Sequence, residues 1–394
     1  MVDHVLVAER DADDTLHHQR LDLVLDEHRI ALKRLREAEA LAERLRDDRR
    51  LGQVRGFMIN LHMWLGELDE ALVVGGQALE IADRLGDLRL RFPATTHLEG
   101  AHFNRGEYER VVELATDNLA RLPADWLYER FGGNMPTSVY DRYFLTMSLS
   151  ELGRFAEADA YKAEMIRLAE TTQSPQTPLT LCHTYYAACS FHLLKGDWTR
   201  ARSMIERSVE VARTGNVIVN LRNAVASSAW ILAQVGEMSG AIDRLREGEQ
   251  LVADARARGY GGVGSLTAAP LGRACLLLGR LDEALHWGTR AVEACAHRPG
   301  SEAHAQHLLG DIASHPERFD PGTAEAHYRQ ALSLAEPRGM RPLIAHCHLG
   351  LGRLYQRAGK HEQAREHFTT AISSYREMGM SCLTEAETEL RELG

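Results

Sequence analysis

Between residues 324 and 378 the apolar positions recur with a helical period and are interrupted only where the chain must turn. The run from Ala324 to about Glu336 predicts one helix, LIAHCHLGLGRLYQRA (Leu343 to Ala358) a second, and EQAREHFTTAISSYREM (Glu362 to Met378) a third. Gly359 stands at the tight turn between the last two. Within this stretch Leu351, Gly352, Tyr355, Ala364, Phe368 and Ala371 interleave small and large residues. Close helix crossing demands this alternation, because glycine and alanine let two backbones approach and aromatic rings fill the spaces left.

The same turn-then-alanine signature recurs upstream. With Ala364 as reference, the matching positions are Ala31, Ala71, Val111, Ala158, Ala201, Ala241, Ala284 and Ala324, spaced 40, 40, 47, 43, 40, 43, 40 and 40 residues. Five residues before each reference stand Asp26, Gly66, Gly106, Gly153, Gly196, Gly236, Gly279, Phe319 and Gly359. Glycine there suits a helix end that reverses through a left-handed residue. Seven residues after each reference come Ala38, Ala78, Asn118, Met165, Ser208, Gly248, Ala291, Ala331 and Ala371, mostly small. The chain therefore reads as one all-α solenoid of about nine helix pairs over residues 1–394, with units ending near 48, 86, 122, 172, 214, 257, 298, 338 and 379. The first unit opens with a weaker helix at about Ala12 to Leu25, and Pro93 and Pro123 punctuate the third. The longest spacing holds an insertion, residues 122–139 (LPADWLYERFGGNMPTSV), whose Trp126 and Phe131 are candidates to fold over one mouth of a groove. Residues 258–266 form a glycine-rich soft spot, and residues 381–393 read as an amphipathic capping helix for the exposed end.

Composition narrows the function classes. A formal net charge of −10, with the basic run Arg44–Arg50 broken by Asp47 and Asp48, disfavours nucleic acid. No uninterrupted apolar run is long enough to span a membrane, and MVDHVLVAERDADD lacks the basic start of a signal peptide. The six cysteines show no C-x-x-C pair and read as buried thiols of a reducing cytoplasm.

Candidate chemistry fails on spacing. Gly259, Gly261, Gly262 and Gly264 precede a helix, but no Lys-Ser or Lys-Thr follows to reach a nucleotide's phosphates. His361-Glu362 would open a zinc-protease motif, yet the next histidine, His367, falls two residues late. His361 instead holds the turn position expected to pack. His346 and His348 point apart on their helix, and His304 and His307 lack evident further ligands. The expectation is no catalysis, no metal and no cofactor.

The residues at Leu351, Gly352, Tyr355, Ala364, Phe368 and Ala371 resemble the packing positions of the tetratricopeptide repeat (TPR). Two stretches, AEAHYRQALSLAEPRGMRPLIAHCHLGLGRLYQRAGKHEQAREHF and LREAEALAERLRDDRRLGQV, are similar to the C-terminal repeat region of bacterial signalling proteins. Those proteins carry a class III adenylate/guanylate cyclase domain and an AAA-type ATPase domain ahead of the repeats. The chain has neither catalytic part, and Cys382-Leu383 stands where that subfamily has bulky aromatics. The resemblance implies a right-handed superhelix whose first helices line a concave groove, with groove-facing positions 18, 15 and 11 residues before the reference. Carried over, these are Tyr140, Tyr143 and Met147; His183, Tyr186 and Ser190; Asn223, Ala226 and Trp230; Leu266, Ala269 and Arg273; and His346, Leu349 and Arg353. The family's carboxylate clamp for chaperone peptides is missing, since Gly56 occupies the place of its first lysine. What remains is a cytoplasmic scaffold or sensory array that binds a peptide or protein segment, with self-association as a further use. The alternative is a small-molecule-binding or repurposed enzymatic protein with its pocket beneath the 122–139 insertion.

Overall fold

The computed structural model describes residues 28–174, 176–257 and 264–393, and among these it contains helices and no strand. The expected first helix, Asp26 and most of the 258–266 segment lie outside the described residues. The second helix of the first unit, α1, is described over residues 28–45. Antiparallel pairs follow: α2 (Asp48–Leu65) with α3 (Leu68–Leu85), and α4 (Leu88–Arg105) with α5 (Tyr108–Arg121). Next come α6 (Thr137–Glu151) with α7 (Phe155–Thr171), α8 (Thr177–Lys195) with α9 (Trp198–Thr214), and α10 (Ile218–Gln234) with α11 (Met238–Ala257). The last pairs are α12 (Ser265–Leu277) with α13 (Leu281–Glu293), α14 (Pro299–Ala313) with α15 (Pro321–Ala335), and α16 (Arg341–Arg357) with α17 (His361–Met378). The chain ends in α18 (Leu383–Glu392), packed on α17.

The reference residues sit at the closest crossings. Ala71, Val111, Ala158, Ala201, Ala241, Ala284, Ala324 and Ala364 have no exposed surface at all. Rings lock against the glycines: a Cβ on Gly352 would lie 2.6 Å from the Phe368 ring, and one on Gly350 would lie 2.6 Å from the Tyr328 ring. Pro93 is not a boundary, as the sequence suggested, but lies inside α4 near its start, where it removes a single backbone donor. His361 is solvent-exposed rather than packed, at the first position of α17.

The array curls back on itself. The turn of the third unit meets the eighth: Arg338 Nε donates to the Arg105 carbonyl at 3.4 Å. The end of α6 meets α14, where His304 Nε2 lies 3.1 Å from both carboxylate oxygens of Glu151. The turn of the fifth unit meets the cap, with Ser381 N–H donating to the Lys195 carbonyl at 3.0 Å. These polar contacts edge an apolar seam. Tyr108 and Leu152 share one cluster with Ala303, Ala331, Met340 and Leu343. Leu145, Leu149, Phe155 and Phe191 share another with Leu349, Tyr355, Tyr375, Met378 and Met380. Unit three thus sits on unit eight, unit four on units eight and nine, and unit five on the cap.

The turn glycines divide accordingly. Gly279 is left-handed (φ +73) and has open space around its missing Cβ. Gly196 is also left-handed (φ +80), but a Cβ there would meet Cys382 Sγ at 2.9 Å and the Cys382 backbone nitrogen at 3.5 Å. Gly279→Ala should cost about 1 kcal/mol of stability from the left-handed backbone alone. Gly196→Ala should cost about 1–3 kcal/mol more through overpacking of the seam. Urea denaturation of the two variants checks the difference, and equal losses would mean that the seam does not bear on that turn.

Candidate binding channel

The first helices of units four to nine place their inward side chains along one wall. On α6, Tyr140 and Tyr143 approach with ring centroids 5.9 Å apart, and Tyr143 meets His183 of α8 edge-on at 5.8 Å. Asn220 of α10 reaches His183 Nδ1 at 3.5 Å, and Tyr186 is held by Ser227. Thr267 of α12 donates to Asn223 Oδ1 at 2.5 Å. Trp230 stacks edge-on with Trp198 at 5.7 Å, and the Arg273 guanidinium lies 6.0 Å from its ring. Arg273 pairs with Asp311 of α14 and lies 2.5 Å from His307 Nδ1, while Tyr328 donates to the other Asp311 oxygen at 2.6 Å. His346 of α16 meets Tyr375 OH at 2.8 Å. The wall is one relay of rings and hydrogen bonds.

Most of the expected groove residues lie on this relay and remain half-buried: Tyr140, Tyr143, His183, Tyr186, Asn223, Trp230 and Arg273. Met147 does not. It is 8 % exposed and packs with Val139, Met165, Leu168 and Ala187, where α6, α7 and α8 meet in one apolar cluster. Ala226 and Leu349 are likewise interior, and Arg353 is engaged by Glu385 and Glu389 of the capping helix at 2.6 and 2.9 Å. The sequence reading missed Phe57 and Trp64, which share a face of α2 with Asn60 and are 53 % and 64 % exposed. It also missed Asp311, the counter-charge of Arg273.

The 122–139 insertion uses its rings for packing. Trp126 and Phe131 contact Phe92 at centroid distances of 6.1 and 5.3 Å, and Arg89 sits 4.6 Å over Trp126. A cleft of about 560 Å³ opens elsewhere, at the seam, between Gly66–Glu70, Arg105–Glu107, His297 with Pro299, and Pro337 with Arg338. Glu249, Cys275 and Glu283 bring possible ligand atoms within 4.8 Å of one another, but Arg280 already pairs with Glu283.

Behind Tyr140 lies an unusual pair of acids. Glu99 of α4 has no exposed surface and neither of its oxygens has a hydrogen-bond partner. Asp141 of α6, also fully buried, accepts from Thr96 Oγ1 at 2.8 Å and from Asn118 Nδ2 at 2.9 Å. Burial and the neighbouring Asp141 charge hold the Glu99 carboxyl well above the usual range. Burial pushes Asp141 up to about 7 against its two hydrogen bonds, and pushes the Tyr140 phenol up to about 12. The signal was in the register: twelve residues before the reference, other units carry Ile59, Thr146, Cys189, Ala229, Gly272, Ile312 and Gly352.

The tetratricopeptide-repeat family matches residues 266–287 and 320–377, covering α12 through α17 in part. This chain is a tetratricopeptide-type repeat protein. The match carries the repeat class and not the cyclase–ATPase subfamily. No curated protein matches the repeat protein's sequence. Its fold is shared by the Rap conjugation gene regulator of plasmid pLS20 in complex with the Phr* peptide (14 % identity, TM-score 0.56, 93 % of this chain and 97 % of that one). It is shared also by a Rap protein complexed with competence and sporulation factor (12 %, 0.52, 87 % and 97 %). A third neighbour is aspartyl phosphate phosphatase F from Bacillus subtilis (11 %, 0.50, 91 % and 93 %). At these identities the likeness concerns the fold. Among the described residues no helix of the array is long and apolar enough to cross a membrane.

The buried ionisable groups give opposed pH slopes. The raised carboxyls hold protons that the unfolded chain releases near pH 4, so their stability contribution is present at low pH and lost as pH rises through about 7. Burial depresses His307 to about 4 and His346 to about 3, so the unfolded chain binds protons first, and stability falls as pH drops below about 6.5. Glu99→Gln should flatten the alkaline slope and raise stability at pH 8 by roughly 1–2 kcal/mol, leaving the acid slope in place. Melting temperatures across pH 4–9 measure both slopes, and an unchanged alkaline slope would show that Glu99 is not the titrating group.

Proposed function

We propose that this repeat protein is a non-catalytic interaction module that binds a peptide or protein segment along the channel wall. Its site comprises Tyr140, Tyr143, His183, Tyr186, Asn223, Trp230 and Arg273. The carrying observation is the run of half-buried aromatic and amide side chains across α6, α8 and α10, which retain partial solvent contact. Such rings supply large contact area at low side-chain entropy cost, the composition of binding hot spots. One fold neighbour was solved in complex with the Phr* peptide and another complexed with competence and sporulation factor, which supports a ligand-binding use of such an array. In this reading the array serves as the sensory or scaffolding arm of a bacterial cytoplasmic signalling system. Recognition works through shape and aromatic complementarity, since Arg273 and Arg353 are already neutralised within the chain.

Affinity capture from lysate of the source organism should retain a partner on the wild type. A Tyr143→Ala/Tyr186→Ala/Trp230→Ala variant, matched for helicity and melting temperature, should lose it by at least about thirtyfold, the effect of one hot spot of roughly 2 kcal/mol. Equal recovery on both would move recognition off the channel wall. A small molecule co-purifying with the wild type, in place of a protein, would turn attention to the 560 Å³ seam cleft.

A further inference from the structure

We propose that the turn edge of units six to eight docks a second copy of this chain, which stacks there as a further turn of the superhelix. The inference does not rest on the channel-binding reading.

Within the chain, stacking is edge on edge. The turn of unit two faces His297, between α13 and α14, and the turn of unit three faces Arg338, between α15 and α16. The turn of unit four faces Arg341 and Met378, and that of unit five faces Ser381 and Cys382, between α17 and α18. The turns of units two to five are thus covered by the loops that join units seven, eight, nine and the cap.

The first position of each second helix carries much of this contact. Leu68, Tyr108 and Phe155 hold it in units two to four and are buried, as is Leu152 in the turn of unit four. Unit six repeats the pattern uncovered. Three and six residues before Ala241, where Phe155 and Leu152 stand relative to Ala158, come Met238 and Val235, which are 46 % and 38 % exposed. Leu277 and Phe319 carry the apolar edge through the turns of units seven and eight, both exposed, and the polar His361 ends it in unit nine. A Cβ on Gly236 or Gly279 would meet no described atom within 4 Å, whereas one on Gly106, Gly153 or Gly196 would meet the overlying turn. Apolar residues aligned along one edge mark an interaction site rather than scattered exposure.

A second copy carries the matching edge. Two of the loops that cover the seam turn through left-handed residues, Gly339 (φ +64) and Gly379 (φ +63). Arg46 (φ +53), Gly86 (φ +63) and Asn216 (φ +54) hold the same conformation at the same register after units one, two and five, and all three are exposed. In the seam the residue after the turn, Met340 or Met380, is buried. Beside the free turns stand Leu45, Leu85 and Ile218, which are exposed. The contact would therefore continue an interface that the fold already uses. Turn edge and loop edge are different surfaces, so the association is heterologous and does not stop at the dimer.

Sedimentation velocity of the full chain from about 1 to about 300 µM, the affinity range of transient contacts, reads the assembly directly. The average mass of the wild type should rise with concentration and pass that of a dimer. Met238→Asp on the turn edge should weaken association by at least about tenfold, and so should Leu85→Asp/Ile218→Asp on the loop edge, both with unchanged melting temperature. Val235→Asp serves as the second turn-edge variant should Met238→Asp fail to fold. An equimolar mixture of turn-edge and loop-edge variants should form dimers and nothing larger, because only one complementary pair of edges survives. A wild type that stays monomeric throughout, or a loop-edge variant that associates as the wild type does, would overturn the proposal. The Tyr143→Ala/Tyr186→Ala/Trp230→Ala variant should associate like the wild type, so a failure of channel recognition and a failure of edge stacking are told apart.

Discussion

The apolar seam between successive turns of the solenoid is the contact on which the remaining architecture depends. A solenoid stabilised only by neighbours is free to flex, because each unit touches the next and no other. Here Tyr108 and Leu152 lie in one cluster with residues of units eight and nine, and Phe155 and Phe191 lie in another with Met378 and Met380. These links join residues more than a hundred and fifty positions apart, as His304 and Glu151 illustrate. They fix the curvature, and curvature decides that α16 returns against α6 and α8.

Closure changes the physics of the side chains inside. Tyr143 and His183 retain partial solvent contact yet are surrounded by protein on several sides, so burial raises the phenol and lowers the imidazole. Farther along, Arg273, His307, Asp311, His346 and Tyr375 neutralise one another through short polar contacts. The wall therefore presents aromatic side chains and few free charges, although the molecule as a whole carries a formal −10. Glu99 and Asp141 fit this picture as acids behind Tyr140 whose ionisation burial opposes.

Register is a local property, and it was readable. Spacings of 40 to 47 residues, glycines such as Gly106 and Gly279, and buried alanines such as Ala201 and Ala284 follow from how two helices must cross and reverse. Every constraint of that kind acts within one or two units, so a single sequence displays it. Pro93 shows the limit even there: proline marks a preference, and α4 runs through it in its second turn.

The channel was legible only as a list of positions on first helices. Sequence placed Tyr140, Tyr143, His183, Tyr186 and Trp230 in a common register, and tertiary structure joined them into one wall while withdrawing Met147 into the core. It also supplied what no spacing rule contains: the pairing of Arg273 with Asp311, the orphaned carboxyl of Glu99, and the return of α16 to α6. Helix formation and pair crossing are set by neighbours within tens of residues, so the sequence determined them. The return of α16 to α6 depends on small rotations summed over many units, and on which distant apolar faces then meet, so the folded chain alone decided it.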